Sequence, residues 1–416
     1  MKTVPAIACA FVMGASSAFA GYGDKVNGLP NWQERAILVL TNACRMAPVQ
    51  YRNTYLGATY NILLPANYPA VPPVYWNLAL NGSARFHAIQ MADTCGMTHN
   101  SCNGDAFNVR IELFYNNKSY TIGEDIAAGS TDPSGTMQQW LLDEQNGTVP
   151  LDNSTCGTSR CDGHRWNIMN KSYREMGTGY AYGPQTYNYF WCQDLGGGAP
   201  EFVNPIVSAA HLFIETGKTT FLADYFDPAG KPSNPSLYVD NQKSSLTLLM
   251  GADSAGTYSV SLARTTACRN YYFTFTNAKG TLFRYPETGD LVTFGEGSCA
   301  RDFVPAESLS VGGMLGIPVL RDGRTTFSIK GSVLTARVRG KVNDIEESAL
   351  YDSRGRSLVT IVWSVGGGIT RRAASQDETV YLARIDRDIS RGIYFVRTRF
   401  SDGTMRTASV VASGGE

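Results

Sequence analysis

Five side chains in the first half of the chain are of the types that build metal or acid–base sites. They are His99 in GMTHNSC, Glu124 in TIGEDIAAG, Asp143 and Glu144 in WLLDEQN, and His164 in CDGHRWNIMN. Neutral imidazoles and carboxylates hold a divalent ion such as zinc. A histidine beside a carboxylate also does general acid–base work. These residues sit on four separate segments, and no His-Glu-x-x-His pair is present. Only a fold that gathers them makes a site. The chain has four histidines in all. His87 shares an apolar helical face with Ala84 and Met91 and reads as a core or cleft-wall imidazole satisfied by a hydrogen bond. His211, in VSAAHLFIETG, reads as structural. Packing is the competing role for His99 and His164, a solvated helix end for Asp143 and Glu144, and a loop hydrogen bond for Asp125.

The elements that must position these groups are legible over residues 31–200. NWQERAILVLTNACRM sets Trp32, Ala36, Leu40 and Cys44 on one face of an amphipathic helix, with Asn31 as its N-cap. LALNGSARFHAIQMADTC aligns Leu80, Ala84, His87, Met91 and Cys95 on a second helix, and SGTMQQWLLDEQN gives a third. REMGTGYAYG and YNYFWCQDL read as strands joined by a turn at Gly183-Pro184. Within GHRWNIMN, Gly163 is expected to let the backbone approach closely beside His164. Arg165 is expected in a salt bridge or on the surface, Trp166 in the core, and Ile168 and Met169 in a strand or the core.

Beyond residue 200 the pattern changes to short alternating runs. TTFLADYF, SLTLLM, TYSVSLA, YYFTFTN and LVTFG predict an all-β sandwich over 201–303. Its tyrosines Tyr258, Tyr271 and Tyr272 are expected to be exposed, as ordinary sheet residues or as contacts for a glycan or protein. A third unit, 304–416, contains SVLTARVRG, SALYDSRGRSLVTIVW, TVYLARI and GIYFVRTRFSDGTMRTASVV. Asp402-Gly403 marks a hairpin there.

Equal numbers of basic and acidic residues, 36 each, give no electrostatic case for nucleic acid. The N-terminus, MKTVPAIACAFVMGASSAFA, reads as a signal peptide over residues 1–20, with the mature chain starting at Gly21. No later run reaches the ~18–20 apolar residues of a membrane span. Of nine cysteines, Cys9 leaves with the signal. The others suit disulfides in an exported chain. Proximity pairs Cys95 with Cys102, Cys156 with Cys161 and Cys268 with Cys299, leaving Cys44 to join Cys192. A zinc site is the weaker use of cysteines that lack CxxC spacing.

The ordered pieces LVLTNACRMAP, VYWNLALNGSARFHAIQMA, GMTH, IGEDIAAG, WLLDE and GHRWNIMNKSYREMGTGYAYG resemble bacterial members of the CAP superfamily, the cysteine-rich secretory, antigen 5 and pathogenesis-related proteins. The resemblance implies an α-β-α sandwich with a cleft of two histidines and two acids. It assigns His99, His164 and Glu124 to that cleft, with His99 and His164 as ligands of zinc or another divalent cation. The family's Trp-x-x-Glu falls on Trp140 and Asp143, with Glu144 adjacent, so the second acid stays open between the two. The family's Gly-Glu-Asn reads Gly123-Glu124-Asp125 here.

A second resemblance covers the C-terminal unit. Tyr351, Asp352, Gly355, Arg356 and Gly392 to Arg397 resemble the sorting domains of type IX secretion cargo, which implies a Gram-negative outer-membrane secretion machinery as partner and a secreted or cell-surface location. The fold expectation is therefore α+β: a CAP-like α-β-α sandwich followed by two all-β sandwich domains. The function expected is a binding module for a small-molecule, lipid, glycan or peptide ligand. A metal- or His/Glu-dependent peptidase or other hydrolase is the first alternative, disfavoured by the lack of a Gly-x-Ser-x-Gly nucleophile. An adhesin or matrix protein is the second.

Overall fold

A computed structural model describes residues 22–26, 28–115, 121–200 and 204–305, together with the strands between 325 and 413. Residues 1–20, the expected signal peptide, lie outside the described residues, as do Gly355, Arg356, Asp402 and Gly403. The mixed α+β class holds, with 24% helix and 35% strand.

Helix α1 (Trp32–Met46) starts at a capping box: the Asn31 side chain accepts from the Glu34 amide, and Glu34 accepts from the Asn31 amide. Its apolar run Ile37-Leu38-Val39-Leu40 is buried, and so are the polar Glu34, Arg35, Thr41, Asn42 and Arg45. The helix is amphipathic in sequence, yet its polar face is covered too, through hydrogen bonds and ion pairs. Two short turns follow, α2 (Pro48–Tyr51) and a wide turn over Arg52–Gly57. Helix α3 (Leu78–Gln90), capped by Asn77, runs into a second wide turn, Met91–Cys95. Then come α4 (Phe107–Phe114), α5 (Pro133–Leu142), capped by Asp132, and α6 (Gly163–Met169).

These helices surround a sheet ordered β1-β5-β6-β2. Its strands are β1 (Tyr75–Trp76), β2 (Ile122–Ala128), β5 (Glu175–Tyr182) and β6 (Tyr189–Gly196). A small hairpin, β3 (Thr155–Cys156) and β4 (Ser159–Arg160), stands apart. Alternation along β6 shows the layering. Phe190 and Cys192 pack with α3 residues Ala84 and Ala88, whereas Trp191 and Leu195 pack with α1, α5 and α6. Helix α3 lies almost on the backbone of β5. A Cβ at Gly177 would come within 1.9 Å of the Asn81 amide nitrogen, and one at Gly179 within 2.2 Å of the Ala84 carbonyl carbon.

The second unit is two facing sheets. One is ordered β11-β12-β8-β7: β7 (Ile206–Leu212), β8 (Lys218–Phe226), β11 (Thr247–Ala252) and β12 (Ala255–Ala263). The other runs β10-β9-β13-β15-β16, with β14 beside β13. Its strands are β9 (Ser233–Val239), β10 (Gln242–Ser245), β13 (Asn270–Thr276), β14 (Leu282–Tyr285), β15 (Asp290–Val292) and β16 (Phe303–Val304). Phe221 and Tyr225 of β8 meet Tyr271, Phe273 and Phe275 between the sheets, so Tyr271 and Tyr258 are buried core residues rather than exposed, and Tyr272, on the opposite face of β13, is half-buried. Leu222, between Phe221 and Tyr225 in sequence, joins the core around α1 together with Ala210, Leu212 and Met250. Helix α1 is thus the shared wall of both units. Trp32 donates to the His211 carbonyl, and Asn42 to Ser208 Oγ at 3.0 Å.

The C-terminal strands are β17 (Thr325–Lys330), β18 (Val333–Arg339), β19 (Ile345–Asp352), β20 (Ser357–Val362), β21 (Ile369–Ser375), β22 (Glu378–Arg384), β23 (Gly392–Phe400) and β24 (Met405–Ser413). They are hydrogen-bonded in the order β20-β19-β23-β24-β17-β18-β22-β21. β23 and β24 pair antiparallel, as expected of a hairpin.

Three expected disulfides are present: Cys95–Cys102, Cys156–Cys161 and Cys268–Cys299. The fourth is not. Cys44 and Cys192 are free and buried. Cys44, on α1, faces Met169 on one side of the first sheet, and Cys192 points to the α3 side. The sheet itself separates them.

Candidate functional site

Strand β2 is an edge of its sheet, and one histidine–acid pair reaches that edge from each face. From the α3 side, the Cys95–Cys102 disulfide closes the loop that carries His99. His99 Nδ1 meets Glu124 Oε1 at 2.8 Å. Buried Arg110 of α4 donates to Glu124 Oε2 and, at 3.0 Å, to the His99 carbonyl. From the other side, α6 brings His164, whose Nδ1 lies 2.5 Å from Asp143 Oδ1. Asp143 ends α5 in the left-handed conformation, φ 50° and ψ 31°. That turns its carboxylate back toward α6.

Two buried arginines fix this arrangement. Arg165 donates to the carbonyls of Leu141 and Leu142 at the end of α5 and to that of Pro150, and pairs with Asp152. It locks α6 against α5 and so sets His164 beside Asp143. Arg45 of α1 donates to the carbonyls of Pro72, Ile168, Asn170 and Tyr173. Asn42 pairs with both backbone groups of Val74. The Asn-x-x-Arg pair is a structural clamp.

The two imidazoles line one open cleft of about 740 Å³ with Met97, Thr98, Asn100, Ile126 and Tyr187. The His99 side chain is 50% exposed and that of His164 28%. Each Nδ1 engages a carboxylate, which leaves each Nε2 as the ring nitrogen not committed to an acid.

Burial works against charge on Glu124, but its hydrogen bond to His99 and the Arg110 guanidinium outweigh it and hold its pKa below the usual value. For His164, burial is outweighed by the Asp143 hydrogen bond and the nearby acids, and its pKa is raised. Asp125 points to the α6 side, accepts from Asn167 at 2.8 Å and is fully buried. Burial pushes it up to about 7, partly countered by His164.

The structure therefore brings four of the five candidates together, and of the two neighbouring acids it is Asp143 that contacts His164. Glu144 is exposed and stands outside the pair. Other expectations also change. Gly163 has open space where a Cβ would stand, so close approach does not explain it. Trp166 is 39% exposed, with the Arg160 guanidinium over its ring, because a helix rather than a strand carries it. Ile168 and Met169 are core residues of that helix. His87 and His211 are buried as expected: His87 Nε2 lies 2.7 Å from the Thr98 carbonyl, although its Nδ1 makes no hydrogen bond of ordinary geometry, and His211 bonds Tyr271 and the Phe294 carbonyl.

A cluster that the sequence did not single out lies behind Glu124. Pairing sets Asp194 of β6 opposite Glu124, and Cys192 projects from the same face of β6. The donor atoms of these three buried residues lie within 4.8 Å of one another, a spacing a metal ion can bridge. Burial and then the Glu124 charge push Asp194 up to about 8, and burial, Asp194 and Glu124 raise the Cys192 thiol. The only signal in the sequence was the two-residue spacing of Cys192 and Asp194 on a strand.

Residues 40–195 match the family model described as CAP, cysteine-rich secretory protein family. The match spans every cleft residue and supports a CAP domain there. No curated protein matches the chain. Solved structures with some similarity include the Ig1 domain of mouse SynCAM 2, at 16% identity, 22% of this chain, 97% of that one and TM-score 0.14. A Bacteroides ovatus mixed-linkage glucan utilization protein, SGBP-B, aligns at 13% identity over 43% of this chain and 36% of its own, TM-score 0.15. A pullulanase from Anoxybacillus sp. LM18-11 aligns at 15% identity over 48% and 25%, TM-score 0.14. Scores this low carry no argument about this chain.

Proposed function

We propose that the protein is an exported CAP-domain binding protein whose cleft holds zinc or another divalent cation on His99 and His164. The observation that carries this reading is the pair of histidine–carboxylate contacts opening onto one cleft. Each acid fixes the ring of its histidine and keeps Nε2 available, the arrangement that backs metal-ligating imidazoles. The cation would supply a Lewis-acid centre for an anionic or carbonyl group of a small-molecule, lipid, glycan or peptide ligand. Met97, Ile126 and Tyr187 would pack against its apolar part. Metal-assisted hydrolysis, as in a peptidase, is the second reading, favoured because two protein ligands leave coordination positions open.

Three disulfides support export, since such bonds persist in oxidising compartments. Among the described residues no helix is long and apolar enough to cross a membrane. The division into 31–200, 201–303 and 304–416, the α-β-α sandwich of the first unit, and type IX secretion through the last unit belong to the same proposal.

Zinc calorimetry on the mature full-length chain, beside a His99→Ala/His164→Ala variant, tests it. The parent should show a binding event that the folded variant lacks. Identical isotherms would sink the cleft assignment. Hydrolysis of a peptide library that disappears with His164→Ala would establish the second reading.

A further inference from the structure

We propose that Glu124, Cys192 and Asp194, with the hydroxyl of Ser83, form a second, buried site for a zinc-type divalent cation, behind the cleft, sharing Glu124 with it but taking neither histidine as a ligand. Register brings the donors together. Glu124 and Asp194 are direct cross-strand partners, and Cys192 lies two residues along the same face. Cys192 Sγ lies 3.3 Å from Glu124 Oε2 and 3.4 Å from Asp194 Oδ1. With Zn–S of about 2.3 Å and Zn–O of about 2.0–2.2 Å, neighbouring S and O corners of a tetrahedron are about 3.5 Å apart. The two sulfur-to-oxygen edges are already close to this length.

Charge points the same way. Two carboxylates and a thiolate carry three negative charges, and Arg110, paired with Glu124, supplies one positive charge. A divalent cation neutralises the remainder. Without one, protons must do so in a place closed to water.

The independent sign is a pair of unsatisfied atoms. The Ser83 hydroxyl lies within reach of the Asp194 carboxylate and works to lower its pKa, but neither Asp194 Oδ2 nor Ser83 Oγ makes a hydrogen bond of ordinary geometry to any group. Both residues are 0% exposed, where polar atoms are normally paired. Helix α3 presses Ser83 onto this spot because Gly177 and Gly179 let it close on β5. One sulfur with oxygens suits zinc better than calcium or magnesium, which take oxygen ligands alone. The ion would enter as the unit folds, expelling the thiol proton.

Cobalt substitution tests this. The metal-free full-length protein is refolded with Co2+ and its near-ultraviolet spectrum recorded. A sulfur-to-cobalt charge-transfer band is expected in the parent. It should persist in the His99→Ala/His164→Ala variant and in Cys44→Ser, which removes the other free thiol, and be lost in Cys192→Ser. No band in the folded, cobalt-treated parent overturns the proposal, as does a band that survives Cys192→Ser. If Cys192→Ser does not fold, zinc X-ray absorption on the double-histidine variant decides instead. One sulfur neighbour at about 2.3 Å supports the site, and its absence removes it. The double variant separates this claim from the cleft reading, since either site can fail alone.

Discussion

At the residue scale, the assignment of Asp143 over Glu144 has a direct consequence. Asp143 holds His164 through Nδ1 and helps raise its pKa. In Asp143→Asn, the His164 titration followed by NMR should move down toward the ordinary imidazole value, and Glu144→Gln should leave it in place. Equal shifts in the two variants would contradict the geometry. The sequence could not choose between neighbouring acids, because the choice depends on one residue adopting φ 50° at a helix end. Likewise GHRWNIMN has too few residues to show a period. His164 stood out through its type and its resemblance to known clefts, while Trp166 was misplaced once the segment proved helical.

At the element scale, Arg45 ties α1 to the segments that lead into β1 and β5. It is fully buried and serves four carbonyls. Arg45→Met would leave those acceptors unpaired, at a cost of about 3 kcal/mol or more. Urea denaturation should show this as a lower midpoint at an unchanged slope. Zinc binding in the cleft should weaken as well, because the Ile168 and Asn170 carbonyls anchor the end of α6. Helix existence was readable here from caps and spacing, as at Asn31 and Asn77. The covering of α1 was not: four consecutive apolar residues say that a helix is buried, but not by what. The missing Cys44–Cys192 bridge is the same failure. Counting cysteines is blind to which face of a sheet each one occupies.

At the scale of the whole molecule, the seam between the first two units contains a pH-sensitive group. Asp224 of β8 is buried, accepts from Thr257 at 2.6 Å and from Ser208 at 2.5 Å, and is pushed by burial up to about 8. The unfolded chain releases that proton near pH 4, whereas the folded chain keeps it to about pH 8. Stability should therefore fall as pH rises across this window, by on the order of a few kcal/mol, and level off above it. His87 and His211, both pushed by burial down to about 4, act in the opposite sense. Their contribution is lost as pH falls from about 6.5 through about 4. Denaturation of Asp224→Asn beside the parent at pH 5 and pH 8 isolates the first effect, and the variant should show the smaller difference. A fragment ending near residue 200 would also bare one side of α1, and ANS fluorescence should report that exposed surface.

The Cys95–Cys102 staple places the cleft under the control of location. A newly made chain in a reducing compartment has His99 on a slack loop, and holding that loop in place for a cation costs conformational entropy the staple would otherwise have removed. On the proposed reading of an exported, cation-holding cleft, closing this disulfide would tighten cation capture where the chain is oxidised.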